Sequence, residues 1–409
     1  MSPSAYDSVL IDSHLDLGLA GLVVRRDLLA EVDAIREREG CVVTRLPNGE
    51  FRYERGLGEE PGTCTTSLPE LRRARCAVAL VTFLARCRPW VKPSRQRGGG
   101  IDYPTPQQAE AHAMAELSLY RRLERMGEAM ILTTAADLDR TVERYQRDPE
   151  QAPLGLIFTM EGADPIVEPS DLAAWHERGL RGLSLAHYGH SRYAGGTPDP
   201  KYFPNSTIST VPPPSDAGDG PDPHASDIPL TDLGRALFDE INRLNANGQA
   251  LALDLTHTCD RSFTEALERV EAPVYLSHSN ARAITGSIRE NTDTQFRSVI
   301  DRGGVIGVVL HSGMIHPRGK TLQADGNPPL TGLIDHIDHI CDVAGNAHHV
   351  GIGSDLDGGF GAEHTPVDLD RYSDLRKLTD MLSARGYTDE QIDGLFYGNW
   401  LRFWRGVLT

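Results

Sequence analysis

Short apolar runs that end on an ionisable residue recur along this chain, with helical stretches between them. Ser8-Val-Leu-Ile-Asp-Ser-His-Leu-Asp16 carries His14 and Asp16 at its end, two apart and therefore on one face of a strand. Leu154-Gly-Leu-Ile-Phe-Thr-Met160 runs into Glu161, and Ala250-Leu-Ala-Leu-Asp-Leu-Thr256 into His257. Pro273-Val-Tyr-Leu-Ser277 runs into His278, and His349-Val-Gly-Ile-Gly-Ser354 into Asp355. A further run, Gly304-Val-Ile-Gly-Val-Val-Leu310, has the same character. Runs this short and this rich in apolar and β-branched residues are predicted to be parallel strands covered on both faces. Helices are predicted from Gln107 to Met126, from Thr231 onward with Thr or Asp as N-cap, and from Leu333 to Ala344. Strand alternating with helix gives βαβ units and a parallel sheet. The expectation is an α/β fold, a (β/α)8 TIM-like barrel spanning residues 1–409 as one domain.

Two segments interrupt the alternation and are expected to be insertions over the carboxyl face, at about residues 35–100 and 197–229. The first contains Arg/Glu-rich and Gly-rich stretches and a hairpin signal at Asn48-Gly49. The second holds nine prolines and little apolar content, as expected of a long surface loop.

Charge and cysteine usage narrow the function classes. Lys plus Arg is 41 and Asp plus Glu is 58, a net charge of −17, which disfavours nucleic acid or an anionic membrane as the main partner. No apolar run reaches the length of a membrane span, and no secretory leader is legible at the N-terminus. The six cysteines, at 41, 64, 76, 87, 259 and 341, form no Cys-x-x-Cys pair and read as reduced thiols of a cytoplasmic protein. A disulfide among the first four is the alternative.

The ionisable residues at strand ends are the candidate site. In α/β barrels the active site is built at the carboxyl ends of the strands. His14, Asp16, Glu161, His257, His278 and Asp355 all fall there. One such residue has an ordinary structural explanation, a capped histidine or a satisfied core carboxylate. A whole set does not, because buried ionisable groups need partners and otherwise cost stability. Imidazole and carboxylate are the ligands of divalent zinc, so a shared metal centre is expected. Asp355-Leu-Asp357-Gly358 also resembles the start of a calcium loop, but the later acidic positions are missing. His176, His224, His348 and His349 read as surface or strand-cap residues.

In order and spacing these residues resemble the membrane (renal) dipeptidase family, metallopeptidases of the amidohydrolase superfamily, from about residue 8 to residue 405. The matching stretches are His14-Leu-Asp-Leu17, Met160-Glu-Gly162, Leu185-Ala-His187, Asp254-Leu-Thr-His257 and Ser277-His-Ser279. They continue through Arg289-Glu-Asn-Thr-Asp293, Ser354-Asp-Leu-Asp-Gly358 and Gly398-Asn-Trp-Leu-Arg402. The resemblance implies two zinc ions, one held by His14 and Asp16, the other by His257 and His278, with Glu161 bridging. It implies hydrolysis of a dipeptide by a metal-bridging hydroxide, with Asp355 handling the proton. It further implies that His187 binds the developing oxyanion and Arg289 the substrate's terminal carboxylate. His187 as a mere loop histidine and Arg289 as an exposed ion-pair residue are the competing readings. Leu15, Ala186, Glu290 and Leu356 depart from the family's usual Asn, Thr, Asn and Phe, which supports hydrolysis better than any particular substrate. N-acyl amino acid or lactam hydrolysis, and a catalytically silent binding protein, remain as alternatives. The implied partner is a small dipeptide-like molecule, with no nucleic acid and no membrane; a homodimer stands open beside a single chain.

Overall fold

A computed structural model describes residues 8–54, 62–89, 91, 100–198, 227–316 and 326–408. Eight parallel strands form the barrel: β1 (Leu10–Leu15), β2 (Cys76–Phe83), β3 (Leu154–Met160), β4 (Leu180–Ser184), β5 (Ala252–Asp254), β6 (Val274–Tyr275), β7 (Ile306–Val308) and β8 (Val350–Ile352). Their order in the sheet is β6-β5-β4-β3-β2-β1-β8-β7, so neighbours in sequence are neighbours in space. A parallel bridge between Leu276 and Ile306 joins the two ends and closes the barrel. A ninth short strand, Ala129–Ile131, pairs with the first half of β3.

Apart from the half-buried Arg181, the strands are buried, which explains their largely apolar composition. The helix Pro106–Arg125 is capped by Thr105, whose side chain accepts from Gln108 N, and Asp232–Ala246 by Thr231, which accepts from Gly234 N. The third expected helix spans Thr331–Ala344. The last helix, Asn399–Val407, buries Trp400 and Trp404 against the barrel. Asn399 Nδ2 donates to the carbonyls of Ala347 and Val350 at 2.8 Å each, and Trp400 Nε1 to Ile352 O at 3.0 Å. These bonds tie the chain's end to β8.

One expectation needs correction. The span 35–100 is not an insertion throughout, because Cys76–Phe83 is a central barrel strand between β1 and β3. It ends on Phe83 rather than on an ionisable residue, so it lacks the mark that singles out the others. The hairpin expected at Asn48-Gly49 is present: Val42–Arg45 pairs antiparallel with Phe51–Glu54, and Gly49 has φ 91°. Residues 62–66 reach the carboxyl face, where Thr65 and Thr66 donate backbone N–H to Asp357. The proline-rich segment expected at 197–229 lies outside the described residues except at its edges, and His224 lies outside with it. His176 Nε2 lies 3.3 Å from Ala250 O, and His349 Nδ1 2.8 Å from Gly304 O, both strand-entry contacts. The six cysteines are free. Among the described residues no helix is long and apolar enough to cross a membrane.

Candidate metal centre

Six of the eight residues singled out in the sequence gather with a seventh, the carboxylate Glu161, at the carboxyl mouth of the barrel. Its two oxygens face different partners. Oε2 lies 3.6 Å from His14 Nε2. Oε1 lies 3.3 Å from His257 Nε2, 3.6 Å from His278 Nε2 and 3.9 Å from His187 Nε2. His14 Nε2 is also 3.7 Å from Asp16 Oδ1 and 3.8 Å from Asp355 Oδ1. Arg289, the eighth, adjoins His257 and His278. It is buried rather than an exposed ion-pair residue, and His187 is part of the cluster rather than of a free loop.

Two further carboxylates, Asp12 and Asp254, align the strand ends that carry these groups. Asp12 Oδ1 accepts from His14 N at 3.1 Å and from Ser354 N at 2.9 Å, joining β1 to the residue before Asp355. Asp254 Oδ1 accepts from Thr256 N and Ser277 N, both at 3.0 Å, joining the residues before His257 and His278. The barrel interior leaves no slack here: a Cβ built on Gly353 would lie 1.8 Å from Ser277 O. His257 and Asp355 have φ of 62° and 56°, left-handed values that are uncommon without glycine. Such strain, on the order of 1–3 kcal/mol per residue, concentrates at functional sites.

The electrostatics ask for positive charge. Burial disfavours a charged His14, yet Glu161, Asp16 and Asp355 outweigh it and lift its imidazole to about 10. Burial and the neighbouring Glu161 carboxylate push Asp16 up to about 6. Burial also drives Asp355 well above the usual carboxylate range, with Asp16 and Glu161 adding to the shift. Burial holds His257 and His278 well below the usual imidazole range, and Arg289 lowers both further. Their neutral rings therefore carry lone pairs.

A divalent cation fits this donor set. His14 Nε2 is buried without a hydrogen-bond partner among the described residues, although it faces three carboxylates. His257 Nε2 and His278 Nε2 approach to 3.0 Å. Three overlapping groups of metal-capable residues arise: His14, Asp16 and Glu161; His14, His278 and Asp355; and Glu161, His187 and His257. Imidazole nitrogen with carboxylate oxygen suits zinc and its neighbours.

Sequence reasoning misses other residues of the site. Tyr188 sets its ring edge-on to His257 and His187 at 4.4 and 4.6 Å between centroids. Arg86 and Asp102 lie behind His187. Asp12 has a legible signal, since Asp12-x-His14-x-Asp16 puts all three on one strand face. Asp357 is no calcium ligand in this arrangement: its oxygens take up the N–H groups of Thr65 and Thr66, the Thr65 hydroxyl and Arg26.

A parallel barrel with a buried carboxylate–histidine cluster at its carboxyl mouth defines a metal-dependent hydrolase of TIM-like fold. The membrane dipeptidase family model matches residues 5–409, and the chain belongs to that family; it is a metallo-dipeptidase. It is 29% identical to an uncharacterised protein of Klebsiella pneumoniae encoded in the pqqA 5' region, over 69% of this chain and 90% of that one. It is 25% identical to an uncharacterised dipeptidase of Schizosaccharomyces pombe, over 88% of this chain and 75% of that one. In fold it is similar to a metallopeptidase of Rhodobacter sphaeroides crystallised with a phosphinate mimic of the dipeptide L-Ala-D-Ala. That match has a TM-score of 0.66 and 23% identity, and covers 98% of this chain and 99% of the other.

Proposed function

We propose that this metallo-dipeptidase cleaves the peptide bond of a dipeptide with a free C-terminal carboxylate, using two zinc ions. His14 and Asp16 would hold one, His257 and His278 the other, with Glu161 between them. The observation that carries the reading is the split of Glu161: one oxygen faces His14, the other the His257–His278 pair. When bound, zinc supplies Lewis acidity and a water acidic enough to act as nucleophile near neutral pH.

The chain's own residues do the rest. Asp355, whose Oδ1 stands 3.8 Å from His14 Nε2 beside the metal-capable groups, would accept a proton from water and return it to the leaving amine. His187 donates a hydrogen bond to the carbonyl oxygen as charge develops there. Arg289 holds the substrate carboxylate. Its Nη2 donates to His278 O at 3.1 Å, and its buried Nη1 faces Glu290 Oε2 at 3.9 Å. A planar guanidinium matches a carboxylate better than an ammonium does. Nη2 also lies 3.2 Å from His257 Nε2, the lone pair that a cation at His257 would use, so the guanidinium and the cation compete for it.

Metal analysis joined to a screen of dipeptides, with and without chelator, tests this reading. Two zinc ions per chain and chelator-sensitive dipeptide hydrolysis are expected. Full activity after chelation would remove the metal from the mechanism.

A further inference from the structure

The imidazoles of this site are not interchangeable, and what stands behind each ring decides which nitrogen keeps the proton. Behind His187 stands Arg86, whose Nη1 lies 3.2 Å from His187 Nδ1. A guanidinium has only donors and stays charged at any working pH. At this contact Nδ1 must therefore accept, which leaves the proton of the neutral ring on Nε2. Nε2 is the nitrogen that faces the site, 3.9 Å from Glu161 Oε1.

His278 shows the opposite arrangement. Its Nδ1 lies 2.8 Å from Ser277 Oγ, a hydroxyl that can accept. That ring can carry its proton on Nδ1 and present a bare Nε2 to a cation.

Arg86 is itself held. It follows the end of β2 in a two-residue strand, Arg86–Cys87, paired in parallel with Asp102–Tyr103. Asp102 takes Arg86 Nε at 2.6 Å and Nη2 at 2.9 Å, a two-pronged ion pair that fixes the guanidinium while Nη1 meets His187. Arg88, two residues on, donates to Tyr188 O and pairs with Asp164 at 3.6 Å, which steadies the loop carrying His187.

We propose that Arg86, braced by Asp102, is a positioning residue that locks His187 as the Nε2–H tautomer, making it a hydrogen-bond donor to substrate and barring it from ligating metal. The inference rests on the reading of His187 as the oxyanion donor, and the two can fail separately.

The test is 15N NMR of histidine-labelled, zinc-loaded enzyme, with the His187 signal assigned by its loss in His187→Gln, alongside dipeptide kinetics. Wild type should show the proton on Nε2. Arg86→Met should populate the Nδ1–H form and lower kcat about 10- to 100-fold with KM within about twofold, somewhat less than removal of an oxyanion donor outright. Arg86→Lys, also a pure donor, should recover part of both, and Asp102→Asn should give a milder version of the Met phenotype. Melting temperature and zinc content certify folding, and Lys and Asn serve if Met does not fold. A wild-type proton on Nδ1, or an unchanged tautomer in Arg86→Met and Asp102→Asn, overturns the proposal. A changed tautomer with unchanged kcat upholds Arg86 as the lock and overturns His187 as the oxyanion donor.

Discussion

His257 and His278 point their Nε2 atoms at each other across 3.0 Å. Each follows its own barrel strand, and Asp254 couples the two strand ends through Thr256 N and Ser277 N. Two imidazoles meeting nitrogen to nitrogen beside the Glu161 carboxylate offer donor atoms that a shared cation could take.

Removing either ring should therefore cost metal before it costs fold. His257→Ala or His278→Ala is expected to lower bound zinc from two toward one per chain, while His14→Ala affects the other ion. Metal content per folded chain, read by elemental analysis, checks this. Full occupancy in His278→Ala would take that residue out of the ligand set.

Asp355→Asn should keep both ions and lose turnover by about 10²- to 10⁴-fold, the range for general acid–base groups. The expectation follows from assigning Asp355 to proton transfer rather than to ligation. Loss of zinc in the Asn variant, with the fold intact, would show it to be a ligand instead.

Arg289→Lys should separate substrates by their ends. Truncating a partly desolvated guanidinium–carboxylate contact costs roughly 2–5 kcal/mol, about tens- to thousands-fold in kcat/KM. Free dipeptides should suffer and amidated analogues should barely change. Equal losses on paired free and amidated substrates would mean that Arg289 does not read the carboxylate.

Glu116 gives a pH prediction. Its side chain is buried, Oε2 accepts from Leu84 N at 3.0 Å, and Oε1 has no hydrogen-bond partner among the described residues. Burial pushes its carboxyl up to about 7, against relief from His112. A raised carboxyl favours the folded state while protonated, and that contribution is lost as pH rises from the ordinary value of 4.5 through about 7. Glu116→Gln stays neutral and keeps an acceptor for Leu84 N. Its stability relative to wild type should therefore grow across that window, by up to ~3 kcal/mol, and level off above it. Urea unfolding of both proteins at several pH values measures the difference; a constant gap would mean that Glu116 does not titrate with folding.

Much of this molecule is legible in the order of its residues. The barrel shows itself through short buried runs, since strands covered on both faces have no reason to alternate polarity. The six strand-end residues His14, Asp16, Glu161, His257, His278 and Asp355 stand out because strand order places their carboxyl ends together. The strand at Leu180–Ser184 is hidden, as its Arg181 and Gly182 break the apolar run. Cys76–Phe83 is hidden because no ionisable residue ends it. Tertiary structure alone decides how Glu161 divides its oxygens, which backbone groups Asp12 and Asp254 join, and that Arg86 and Asp102 reach His187. Those relations link residues up to 342 apart through side-chain direction and barrel closure. Local sequence carries a residue's chemistry and its face on a strand; which lone pair meets which donor is settled only when the strands close around one axis.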